Sequence, residues 1–164
     1  MVPMYSTRWI VGDDVIDINE HVNNLAYVGW MQDVATAHSV ERGWPLERYR
    51  ELGSGWFART HHVDYLRPAF LRDVLVIRTW VAAMTARTST RRYLFVRESD
   101  GATVVSAETL WVYVDFATGR PTRIAPQVAS SFTILGDDDP QVLALTKAVK
   151  TKPRGVEHGN QDQA

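Results

Sequence analysis

The 164-residue sequence contains no cysteine. Disulfides, thiolate nucleophiles and cysteine-ligated zinc or iron–sulfur sites are therefore excluded for this chain. It also lacks an excess of charge of either sign: the formal net charge is -1. That balance gives no general attraction to a nucleic-acid backbone or an anionic membrane. The one basic cluster is Arg87-Thr-Ser-Thr-Arg91-Arg92. No apolar run approaches the roughly 20 residues that span a bilayer. The first fifteen residues show no basic start followed by a long apolar stretch, so no signal peptide is visible. These absences predict a cytoplasmic protein with neither nucleic acid nor membrane as partner.

Material for a core is plentiful. The apolar fraction is 45%, with six Trp, six Tyr and five Phe. The length suits one domain, expected over residues 1–147. The tail, 148–164, is polar, carries Gly and Pro, and is expected to be disordered.

Residues 6–17 mix β-branched and polar side chains and read as an extended segment of one or two short strands. Asn23 and Asn24 are good helix N-caps, because an amide oxygen accepts the free N–H groups of a first turn. Leu25 to Met31 is apolar on every face for about two turns, which predicts burial all round. Gly43 and Pro45 predict the helix end. Gly29 in mid-helix costs roughly 1 kcal/mol against alanine, which predicts close approach of a neighbouring backbone. Residues 45–55 read as a helical turn or loop. Four β-prone segments follow, from Phe57, Asp73, Thr88 and Thr103, with Asp100-Gly101 as a hairpin turn. The last of these is apolar on both faces, so both should be covered. Residues 127–147 offer a short helix or a final strand. One long helix followed by antiparallel strands is an α+β layout. A helix covers one sheet face only, so the apolar second face predicts a partner subunit.

The stretch from Asp17 to Asn24, "DINEHVNN", places polar groups just ahead of that helix. A helix N-terminus has free N–H groups and partial positive charge, which suits an oxyanion. Asp17 lies where it could attack a polarised carbonyl or activate water against it. Asn19 and His21 follow at two-residue steps, so in an extended conformation the three side chains share one side. That is a workable hydrolytic constellation. The same residue types are also common in turns and caps, and spacing alone leaves both readings open. His61-His62 offers no metal site, because strand neighbours point to opposite faces and zinc needs three or four ligands. His62 is a candidate for the substrate pocket. His38, late in the helix, receives no function. Arg87, Arg91 and Arg92 either contact substrate phosphates or form a solvated hairpin. Trp30, Trp56, Trp80 and Trp111 either bound a ligand tunnel or serve in core and interface.

"DINEHVNNLAYVGWMQDVA" resembles the signature of hotdog-fold thioesterases, the group of 4-hydroxybenzoyl-CoA and acyl-ACP thioesterases. The plant-type pattern is met by Asp17, Asn19, His21, Val22, Asn23, Asn24, Tyr27 and Trp30. "HVDYLRPAFLRDVLVIRTWV" and "VYVDFATGRPTRI" are similar to later strands and turns of that family. The resemblance implies a hotdog fold, in which a curved antiparallel sheet wraps one long central helix. It implies an acyl-CoA or acyl-ACP substrate, a homodimer or a tetramer built from dimers, and no metal or other cofactor. It assigns Asp17 as base or nucleophile, with Asn19 and His21 orienting carbonyl or water. It places an oxyanion hole at the N–H groups of Asn24, Leu25 and Ala26. Asn23, Tyr27, His62, Arg91 and Arg92 are then expected at the substrate. The Glu-Cys pair of plant-type acyl-ACP thioesterases is missing, with Pro68-Ala69 in that region; Glu108 is either a substitute or a hydrogen-bonded structural group. Two rivals remain: an enoyl-thioester hydratase on the same fold, whose Asp-x-Asn-Pro-x-His motif is absent here, and a non-catalytic dimer that binds a thioester.

Overall fold

The structure, a computed structural model, describes residues 3–147. The expected disordered tail lies outside the described residues. In chain order the elements are β1 (Tyr5–Ile10), a 3-10 turn (Asp13–Val15), α1 (Asn24–Glu41), α2 (Leu46–Leu52), β2 (Ser54–Tyr65), β3 (Val74–Met84), β4 (Thr88–Arg97), β5 (Thr103–Asp115), α3 (Pro126–Ala129) and α4 (Pro140–Lys147). The N-terminal segment thus holds one strand among the described residues, and residues 126–147 hold helices without a further strand.

The caps of α1 act as their residue types predict. The Asn23 side-chain oxygen accepts the Leu25 N–H at 2.8 Å. At the other end Gly43 takes φ +83°, a left-handed conformation that glycine adopts without steric cost. The buried face comprises Tyr27, Trp30, Met31, Val34, Ala35 and His38, the three-and-four spacing of one helical stripe. Burial is not all round. Leu25 is 77% exposed, and a methyl group placed on Gly29 would meet no atom within 4 Å. A helix resting on one sheet buries one side only, so within this chain Gly29 admits no neighbouring backbone.

The strands form one antiparallel sheet in the order β1-β3-β4-β5-β2. Register shifts between Ala58 and Thr60 and between Val81 and Ala83 are bulges, which bend strands and strengthen twist. Leu75, Ile77, Tyr93, Phe95, Val105 and Ala107 pack with the buried face of α1. On the other face Trp80 and Leu94 are buried with Leu135 and Val142. The chain's own C-terminal segment therefore covers part of the face expected to need a partner subunit. The order leaves β2, twelve residues long, paired on one side only.

His38 lies in the core at 1% exposure. It stacks on Tyr5 and meets Phe132 edge-on. Arg91 Nη1 lies 2.9 Å from its Nδ1, and Arg42 Nε lies 3.2 Å from its Nε2. Burial, then the two guanidinium charges, lower its pKa from 6.5 to about 3. The ring is neutral in the folded chain. Unfolded, it takes up a proton near pH 6.5, so in the interval between the two pKa values acid favours the unfolded state. We expect this residue to remove about 2 kcal/mol of stability between pH 7 and pH 5. Urea denaturation across that range should show a shallower pH dependence in His38→Gln than in wild type, whatever the variant's stability at pH 7.

Candidate active site

Residues 16–22 form a closed turn, not the extended run that the two-residue spacing predicts. Ile16 and Val22 bridge its base. The Asp17 N–H donates to the His21 carbonyl at 3.0 Å, and the Glu20 N–H to the Asp17 carbonyl at 3.0 Å. Glu20 closes the turn at φ 63°, a left-handed conformation that costs a non-glycine residue about 1–2 kcal/mol. Asp17 and His21 still converge, with Oδ1 and Nδ1 3.9 Å apart and both side chains partly exposed.

Asn19 does not join them through its side chain. It sits exposed at the turn's tip, where its backbone N–H donates to Asp17 Oδ1 at 2.8 Å. This corrects the expected three-side-chain pocket: a turn that folds Asp17 back onto His21 must point its middle outward. The neighbouring Ile18 is 96% exposed for the same reason. The Asn19 contact is an Asx turn that orients the carboxylate.

The expected oxyanion donors also divide. The Leu25 N–H is taken by the Asn23 side chain and the Ala26 N–H by the Asn23 carbonyl. The cap that starts the helix uses the donors that an oxyanion would need. The Asn24 N–H has no acceptor among the described residues, so it is the free donor of the first turn. Asn23, expected at the substrate, is committed to capping.

Asn24 borders a cavity of about 240 Å³, lined also by His21, Val22, Tyr27, Tyr65, Leu66, Arg67 and Pro68. Tyr27 contributes from the core, packed on Trp30, Tyr65 and Phe95. Burial first, then Asp73 and Tyr65, push its pKa up to about 12, so its hydroxyl is neutral near pH 7. Sequence reasoning missed Tyr65 and Arg67. Tyr65 donates its hydroxyl to the Asn24 carbonyl at 3.0 Å. The available signal was their place beside the Pro68 break that ends β2. Arg97 steadies that break, donating to the Pro68 carbonyl at 2.8 Å and pairing with Asp100 and Asp73.

The other expected substrate contacts lie elsewhere. His62 is exposed on β2, 3.5 Å from Asp64, outside this cavity. Its neighbour His61 bonds Thr109 through Nδ1 at 2.8 Å. Arg92 is held at 3.2 Å by Glu108 and also pairs with Asp137, so Glu108 serves an ion pair. Arg91 points to the opposite sheet face and is buried at 6% exposure. It is neither a surface phosphate contact nor part of a solvated hairpin. Strand alternation separates the two arginines.

A second cavity, about 270 Å³ and mostly apolar, lies along the C-terminal half of α1 between Ala35, Trp44, Trp56, Trp111 and Arg91. Two of the expected tunnel tryptophans therefore line it; Trp30 and Trp80 are core. Among the described residues no three His, Asp or Glu side chains group as a metal site requires. No described helix is long and apolar enough to cross a membrane.

Comparison with solved structures finds the same fold. A hypothetical protein from Staphylococcus aureus, determined with CoA, is similar at TM-score 0.74 and 17% identity, covering 98% of this chain and 95% of that one. A 1,4-dihydroxy-2-naphthoyl-CoA thioesterase from Synechocystis is similar at TM-score 0.72 and 12% identity, covering 78% and 94%. An acyl-ACP thioesterase from Bacteroides thetaiotaomicron gives TM-score 0.69 at 15% identity, covering 73% of this chain and 49% of that one. At such identities the likeness is one of fold: a helix wrapped by an antiparallel sheet, the hotdog arrangement. No curated protein matches the sequence. The thioesterase-like superfamily model matches residues 11–132. That span holds the Asp17–His21 turn, the capped start of α1 and the whole of β2 to β5, and the chain belongs to the thioesterase-like superfamily.

Proposed function

We propose that this chain hydrolyses an acyl thioester carried by CoA or by acyl carrier protein, with Asp17 as the acting carboxylate. The observation that carries the reading is the meeting of Asp17 and His21 at a cavity lined by His21 and by Asn24, whose N–H is uncommitted among the described residues. A thioester carbonyl oxygen placed against that N–H is polarised by the donor and by the helix dipole. Water activated by Asp17, with His21 alongside, forms the new C–O bond. The C–S bond then breaks, and the departing thiolate takes the proton that the water gave up. Direct attack by Asp17, followed by hydrolysis of the anhydride, uses the same residues. Asn19 acts by holding Asp17 through its backbone. Arg67, exposed at the cavity, is the cation best placed for a carrier phosphate, in place of Arg91 and Arg92. The motif's lack of the hydratase proline favours hydrolysis over hydration.

The assembly we infer is a homodimer formed through β2. Its outer edge presents a row of unpaired backbone groups, a template for a second strand. Phe57 on that strand is exposed. Two copies paired antiparallel would bring the Gly55 end of one strand beside the Tyr65 end of the other.

Free-thiol release from a panel of acyl-CoAs tests the chemistry. Wild type should release thiol, and Asp17→Ala should lower kcat/KM by a factor of about 100 or more. His21→Ala should cost roughly 10–100-fold. Release undiminished in Asp17→Ala would remove Asp17 from its role. Sedimentation equilibrium should give twice the 18.6 kDa chain mass, and hydrogen exchange should show the β2 amides that face away from β5 to be protected; a monomer with those amides unprotected overturns the pairing.

A further inference from the structure

The apolar cavity along α1 begins at Ala35, roughly 17 Å along the helix axis from Asn24 at 1.5 Å per residue. It is therefore separate from the cavity at His21 and Asn24 of its own chain. Aromatic walls are supplied by Trp44, Tyr49, Trp56, Trp111 and Phe132. Such a lining, with three hydroxyl side chains at Thr36, Ser39 and Ser89, calls for a mostly apolar ligand, except at its one charged residue. Arg91, 94% buried, forms part of the wall.

The charge of Arg91 has no carboxylate counterpart among the described residues. Its Nη1 donates to Thr79 Oγ1 at 3.2 Å and lies 2.9 Å from His38 Nδ1. A neutral imidazole has one lone pair to offer, and Arg42 Nε already donates to the other ring nitrogen at 3.2 Å. Among the described residues no carboxylate lies within ion-pair distance of Arg91. Its remaining nitrogens are not sealed in the core: Trp80 Nε1 and Trp111 Nε1 are buried without a partner, whereas no Arg91 nitrogen is. They open onto the cavity. A buried guanidinium without a counter-ion is costly, and an anion with good geometry offsets that cost.

We propose that this cavity binds a carboxylate with an apolar body, the carboxylate pairing with Arg91 and the body lying among the tryptophans. Two sources share this chemistry. One is a free carboxylic acid. The other is the acyl group of a thioester that ends in a carboxylate. Position makes the second source reachable: the cavity's lining includes Gly55, Trp56 and Phe57, the end of β2 that adjoins the partner's Tyr65 end in the antiparallel dimer proposed above. That source rests on the proposed function; the binding site itself does not.

Tryptophan emission reports on the cavity directly, since three of its wall residues are tryptophans. Titration with octanoate should shift the emission at concentrations at least tenfold below those needed for octanol, which has the same chain without the charge. Arg91→Met, similar in length and apolar, should abolish that preference while still binding octanol. Equal binding of the two probes by wild type, or binding of neither, overturns the proposal even if the variant does not fold. Thiol release then separates the sources. A kcat/KM for octanedioyl-CoA at least tenfold above that for octanoyl-CoA, lost in Arg91→Met, assigns the carboxylate to the acyl group; no such difference, with octanoate still bound, assigns it to a free acid. Should the protein hydrolyse no thioester, the octanoate titration still decides the site.

Discussion

The burial of one face of α1 against the sheet sets the rest of the structure. Tyr27, Trp30, Met31, Val34, Ala35 and His38 are its contacts. Because this stripe runs the helix's length, it fixes both ends at once. The first turn comes to rest beside the Asp17–His21 turn and the end of β2. The last turns come to rest beside the aromatic cavity and Arg91. A large apolar side chain buried in such a stripe, as Met31 and Val34 are, contributes about 1.5–3 kcal/mol, enough to hold a non-glycine residue such as Glu20 in a left-handed turn nearby.

Helix capping and helix chemistry draw on the same N–H groups. A first turn has four donors without helical partners. Asn23 accepts two of them, through its side chain and its carbonyl, and a third, its own N–H, donates to the Val15 carbonyl. What is left for a substrate is the Asn24 N–H, steadied by the Tyr65 hydroxyl on the Asn24 carbonyl. The cap thus leaves one first-turn donor, the Asn24 N–H, without an acceptor among the described residues.

Charge is distributed with the same economy. Arg92, Arg97 and Arg8 are matched by Glu108, Asp100 and Glu98 near the surface. The two arginines around His38 lie in the core instead. Neighbours on one strand, Arg91 and Arg92, have opposite surroundings because successive side chains leave a sheet on opposite faces. One is held by surface carboxylates, and the other faces an apolar cavity without one.

Much of the fold was legible in the residues. Asn23 and Gly43 mark the helix ends through side-chain capping and left-handed backbone, both local properties. The β-branched runs and the Asp100-Gly101 turn mark the strands for similarly local reasons. Local pattern could not say which side of an all-apolar segment is covered, so Leu25 and Gly29 read as buried and are exposed. It could not show that residues 16–22 close into a turn, because backbone bonds to Val15 and Ala69 hold the following residues in place; an extended reading therefore grouped Asn19 with Asp17 and His21. Nor could it tell Arg91 from Arg92, whose difference arises only when the strand is laid against α1. The sequence by itself determined where the long helix and the four later strands lie, since caps, turns and periodicity act over a few residues. Tertiary structure alone decided which N–H remains free, which arginine is buried, and where the second cavity lies, because each depends on groups brought together from distant parts of the chain.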